Sequence, residues 1–155
     1  MANIVPNIAK GRVTELYSRV KNNDPANSVL VIVAISVTGD QDAAMVDADT
    51  LQALLALANV AEVTNVNYAR KVLNQDDLAA YTPDDTNNRS DLDLPDQTFE
   101  AIASGDAWTD LVICYDPDST GGDDSALIPL SIHDFSATPD GSDIVAVIST
   151  FFRAS

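Results

Sequence analysis

The residues with the clearest chemical suggestion lie between positions 108 and 134. Asp116-Pro117-Asp118-Ser119-Thr120-Gly121-Gly122-Asp123-Asp124 puts oxygen donors at the first, third and fifth positions and glycine at the sixth, as a calcium loop begins. Its twelfth position is Leu127, where such a loop needs a bidentate carboxylate, and the flanking residues do not read as helix. A solvated hairpin loop with no obligatory metal is therefore expected. His133, the one histidine, precedes Asp134, and a carboxylate next to an imidazole can hold a general base. It has no convincing partner: there is no Gly-x-Ser-x-Gly, no phosphate-binding glycine loop and no metal-ligand cluster. Cys114 falls inside an apolar run and reads as a buried thiol, and His133 reads as structural. Trp108 and Tyr115 could stack on a sugar, but aromatics borne on a strand read first as core. The carboxylates are too numerous to single out a catalytic pair. The expectation is a protein without catalytic residues, metal or cofactor, and not an enzyme.

The elements around these residues follow from periodicity. In Trp108-Thr-Asp-Leu-Val-Ile-Cys-Tyr115, Leu111, Ile113 and Tyr115 would face one side of a sheet and Val112 and Cys114 the other, so the strand is covered on both sides. Residues 29–37, Val-Leu-Val-Ile-Val-Ala-Ile-Ser-Val, read the same way and are β-branched throughout most of their length. Asn7 is a plausible cap for a helix whose stripe is Val13, Leu16, Tyr17 and Val20, ended by Asn22-Asn-Asp-Pro25. A second helix, capped by Asp47 or Asp49, is expected at about 48–59. Alternation predicts a strand over 65–73, with Val66, Tyr68, Arg70 and Val72 on one face, then a polar loop over 75–88 and an edge strand over 89–94. A further short strand is expected over 98–103. Pro129 argues for an edge or a bulge in 127–132, and Asp140-Gly141 predicts a hairpin whose returning strand is 143–152.

Six or seven strands with two helices near the front predict a mainly β, α+β chain: an antiparallel sandwich or small barrel, a jelly roll among the options. At 155 residues it fits one domain, 1–155, with residues 1–7 as an extended N-terminal arm. The 24 acidic residues against 8 basic ones, net charge -16, disfavour nucleic acid and anionic membranes as partners. A partner surface would be basic, neutral or apolar. A single cysteine excludes an intrachain disulfide, and no apolar run reaches the ~18 residues of a membrane span. With no basic stretch and apolar core near Met1, a soluble chain not secreted by a signal peptide is expected.

The ordered run Asn67-Tyr68-Ala-Arg70, Asp85-Thr-Asn-Asn-Arg89, Gly105-Asp-Ala-Trp108, Leu111-Val-Ile-Cys-Tyr115, Ile128-Pro-Leu130, His133-Asp-Phe135 and Pro139-Asp-Gly141 resembles a family of small virion proteins of tailed bacteriophages. The likeness runs from about Ala9 to Arg153 and rests on order and spacing. It implies a capsid decoration, or cement, protein on the outer surface of the virion shell. Such a protein would bind the major capsid protein lattice and itself, as a homotrimer or alternatively a dimer. No functional residues transfer with the resemblance. The arm Met1, Ala2, Asn3, Ile4, Val5, Pro6 and Asn7 is the expected capsid contact, because it has little core to join. The alternative is a head-fibre base or tail adhesin module that meets another virion protein or carbohydrate through Trp108 or the loop tips.

Overall fold

A computed structural model describes residues 3–155. The two apolar runs form the two long central strands of a five-stranded antiparallel sheet: β1 (Val29–Val37) lies beside β6 (Trp108–Asp116), in register from Val29 opposite Asp116 to Ile35 opposite Asp110. β7 (Ile128–Ala137) flanks β6, while β2 (Val60–Glu62) and β3 (Lys71–Leu73) share the other side of β1, one after the other. Two short ribbons complete the strands. β4 (Ser90–Leu92) pairs with β9 (Phe152–Ala154), and β5 (Gln97–Phe99) pairs with β8 (Ile144–Ala146). The chain is mainly β and sandwich-like, with no closed barrel.

The runs are apolar in both parities because both faces of the sheet are covered. Leu30, Ile32, Ala34, Leu111, Ile113 and Tyr115 pack against α1 (Val13–Lys21) and the two ribbons, through Leu92, Phe99, Ala146 and Phe151. Val31, Val33, Ile35, Val112, Cys114 and Ile132 pack against α2 (Asp42–Met45) and α3 (Leu51–Leu55), through Met45, Leu51 and Leu54. The α1 stripe Val13, Leu16, Tyr17 and Val20 is buried throughout.

Four local expectations are corrected. Asn7 does not cap α1: it starts a 3-10 turn, Asn7–Ala9, and Gly11, at φ +80°, turns the chain before the helix begins. The second helix is shorter than 48–59 and is capped by Thr50, whose Oγ1 accepts from the Ala53 N–H at 3.1 Å. Asn59, at φ +68°, then turns the chain into β2. Only Lys71–Leu73 of 65–73 is strand, because Asn67 is left-handed (φ +71°) and the Asn65 side chain bonds across to the Ala103 and Asp106 carbonyls. Asp140-Gly141 is a turn but not a hairpin: Gly141 N–H donates to Ile102 O and Ile102 N–H to Ser142 O, so the chain is pinned to the 102 segment and β8 joins β5 rather than β7. Pro129 sits on the edge strand β7, next to an irregularity in register between Ile113 and Cys114.

The N-terminal segment is also not free of the core. Ile4 exchanges two backbone hydrogen bonds of 2.8 Å with Ile132 on the outer edge of β7. Ile4 packs with the α2/α3 side and Val5 with the α1 side, Pro6 is buried, and Asn7 Nδ2 donates to Asp47 Oδ1 at 2.6 Å. The reason is the edge itself, which would otherwise leave backbone groups of β7 exposed. Met1 and Ala2, expected in the same arm, lie outside the described residues.

Candidate functional site

The segment 116–124 leaves β6 and folds back over one end of the sheet. Its polar side chains satisfy the loop's own backbone: Asp116 Oδ1 accepts from Asp118 N–H (3.0 Å), and Asp118 Oδ1 from Thr120 N–H (3.0 Å) and Thr120 Oγ1 (2.6 Å). Asp123 Oδ1 receives Ser125 N–H at 2.9 Å and the Ser125 hydroxyl. These are Asx turns, the ordinary use of such residues in loops. They hold the carboxyls of Asp118 and Asp123 below the usual carboxylate range. The loop is tied down at both ends, by Ser119 N–H to Asn27 O and by Leu51 N–H to Leu127 O.

A strong tether crosses from the opposite side. Arg70 reaches Glu62 through Nε to Oε1 (2.8 Å) and Nη2 to Oε2 (2.5 Å), and reaches Asp124 through Nη1 to Oδ1 (2.6 Å) and Nη2 to Oδ2 (3.0 Å). One guanidinium thus grips two carboxylates, each with two hydrogen bonds. Tyr68 Oη donates to Glu62 Oε1 at 3.1 Å while accepting the Ala34 N–H at 2.9 Å, so the network is anchored in β1. Burial pushes the Tyr68 phenol well above its ordinary range, which keeps it a donor.

Between the loop and the sheet lies a cleft of about 420 Å³. Val29, Val31, Val72 and Leu127 give it apolar surface, and Arg70, Asp116, Asp123 and Asp124 line it with charge. Val72 is 55% exposed and lies on the opposite sheet face from its buried neighbour Leu73, whereas Val29, Val31 and Leu127 are buried.

The other sequence candidates are in different places. His133 is half-buried on β7, its Nε2 2.9 Å from Ser131 Oγ, and burial lowers its pKa. It borders a smaller groove, about 200 Å³, between β7 and residues 146–151. Asp134 is exposed, alternates with His133 along the strand and stands opposite Asp110 in register, so the pair is not a base and its orienting acid. Cys114 is fully buried and its thiol is pushed far up. Trp108 is 1% exposed: its Nε1 donates to Asn65 Oδ1 at 2.9 Å, and its ring meets Phe99 edge-on with centroids 5.0 Å apart. Trp108 and Tyr115 are therefore core residues and offer no open face to a sugar. Among the described residues, no group of three or more His, Cys, Asp or Glu is placed to hold a metal ion.

Arg70 and Glu62 are the functional candidates that sequence reasoning missed. Arg70 and Asp124 are 54 positions apart. The available signal was an arginine sharing its parity with Tyr68 and Val72 in a chain with three acids to every base. Comparison with protein-family models, with curated proteins and with solved structures finds no match.

Proposed function

We propose that the protein is a structural virion component that binds the outside of a mature phage capsid as a homo-oligomer and reinforces the major capsid protein lattice. The observation that carries this reading is how the basic side chains are used. Arg19, Arg70, Arg89 and Arg153 are all in ion pairs within the chain, and Lys71 lies over the Phe99 ring. With four of the 8 basic residues in ion pairs and a fifth over an aromatic ring, the surface left to a partner is dominated by carboxylates. Such a surface suits a protein lattice with basic or apolar contacts and repels DNA that escapes the shell. A protein that binds only the expanded lattice stabilises it by mass action, with no chemistry required. Of the residues expected to touch the lattice, Asn3 and Asn7 are exposed, whereas Ile4, Val5 and Pro6 are engaged with the chain's own edge.

The test is to add purified protein to shells that lack it, count bound copies by electron cryomicroscopy and follow heat-induced rupture. Copies spread over the shell, with rupture moved to higher temperature, are expected. Copies confined to one vertex would overturn the reading in favour of a fibre or tail role, and no binding would overturn both.

A further inference from the structure

The cleft beside Val72 has a backbone feature that its side chains do not disclose. Thr38 N–H donates to Asn59 O and Val63 N–H to Ala34 O, so the even-numbered residues of β1 turn their backbone groups toward the β2/β3 side. On that same side Leu30 stands opposite Leu73 and Ile32 opposite Lys71. Those two pairs are therefore the hydrogen-bonded ones of the ladder, and Val72 between them directs its N–H and C=O away from β1, at the edge of the sheet. Its side chain shares a face with Val31, its partner in register, and borders the cleft.

We infer that this cleft is the docking site for an extended segment of the partner protein, apolar along one side and carrying lysine or arginine. The inference rests on the decoration reading for the identity of the partner, and on the cleft for its chemistry. An extended segment can use the outward backbone pair of Val72 as an added strand does and lay its apolar side on the exposed Val72 side chain, beside the buried edges of Val29, Val31 and Leu127. Charge selects its remaining residues. Asp116, Asp123 and Asp124 face the cleft against one base, Arg70, and Arg70 is already shared by Asp124 and Glu62, so the rim is net negative. A second copy of this chain, itself at -16, is the wrong partner for such a rim.

The probe is the synthetic peptide acetyl-Lys-Val-Lys-Val-Lys-amide, titrated into the isotopically labelled full chain by NMR, with the Glu-Val-Glu-Val-Glu counterpart as control. Saturable shifts grouped at the amides of Val29, Val31, Val72 and Leu127 are expected with the basic peptide alone. Val72→Lys should weaken binding about tenfold. The near-isosteric Val72→Thr, at an exposed site that tolerates it, should weaken binding to a lesser degree at unchanged melting temperature. Shifts scattered over the acidic surface without saturation, or equal binding by both variants, would overturn the inference. So would movement of the same amides with protein concentration alone, which would mark a second copy as the occupant. The same variants on shells separate the two readings: undiminished decoration by Val72→Lys removes the cleft and leaves decoration standing. Cleft binding of the peptide by a chain that never binds shells does the reverse.

Discussion

Arg70, in the wall of the cleft, holds together two carboxylates that would otherwise repel each other. Glu62 and Asp124 come from β2 and from the loop, and their side chains are only 24% and 31% exposed. Arg70→Met leaves Asp124 without its cation and Glu62 with the Tyr68 hydroxyl alone, and a loss of about 2 kcal/mol in denaturant unfolding is expected, below the range for fully buried pairs because water still reaches this one. Arg70→Lys should recover less than half of it, since an ammonium cannot offer two parallel forks. An undiminished midpoint for Arg70→Met would mean that the network is solvated and contributes nothing. His133 supplies a pH dependence of known sign. Burial lowers its pKa in the folded chain below the unfolded value of about 6.5, so the unfolded chain binds more protons between the two. Stability from the neutral imidazole is complete above about pH 6.5 and is lost as pH falls toward the depressed folded value. His133→Gln should flatten the melting temperature against pH just below 6.5, and an unchanged slope in that variant would assign the dependence to other groups. The carboxylates held low by Asx turns, such as Asp118 and Asp140, act in a separate window. Their contribution is present above about pH 3.8 and is lost as pH falls below it.

At the scale of elements, the edge of β7 is closed by very little chain. Ile4 contributes two backbone bonds to Ile132 and places its side chain against the α2/α3 core, while Asn3 Oδ1 accepts the Asp134 N–H at 3.1 Å. Removing residues 1–7 should cost about 2 kcal/mol and speed hydrogen exchange at the Ile132 amide, while the Val33 amide in β1 keeps its protection. Unchanged exchange at Ile132 would show that the segment is not held there in solution. This also alters what a truncation can say about capsid binding, since the deletion disturbs an edge as well as an arm. The same element shows where sequence reasoning succeeds and stops. β1 and β6 were legible because covering both faces of a strand leaves an unbroken apolar run, and the α1 stripe because one face of a helix was buried. Residues 1–7 carry no periodicity, and the role of Asn3 and Ile4 follows from an edge that only the assembled sheet creates. Residues 65–73 alternate well enough for a strand, yet Asn65 is committed to Ala103 and Asp106 and Asn67 is left-handed. Asp140-Gly141 was rightly a turn, but which strand it returned to depended on Ile102, some forty positions back. The cleft was invisible for the same reason: Val72, Arg70, Glu62 and Asp124 meet only after the chain has folded.

For the whole molecule, the charge of -16 acts on two associations in opposite directions. Copies of the chain repel one another, so the proposed homo-oligomer would form against its own field and would have to be held by apolar or backbone contacts. A lattice with basic contacts attracts the chain and accelerates its arrival. Salt screens both, with a Debye length of about 10 Å at 0.1 M and about 3 Å at 1 M. Raising sodium chloride across that range should therefore increase the oligomeric fraction seen in sedimentation while weakening binding to shells measured on the same preparation. The variant Val72→Lys adds a useful comparison, since it removes apolar contact and acidic bias at one point and should bind shells with a shallower salt dependence than the unaltered chain. If oligomers instead dissolve as salt rises, ion pairs join the copies and the self-association surface is to be sought among Arg12, Lys10 and their neighbours, which hold no ion pair among the described residues. Shell binding that stays constant from low to high salt would mean that the lattice contact is wholly apolar, and the acidic exterior would then serve to keep particles apart rather than to recognise the capsid.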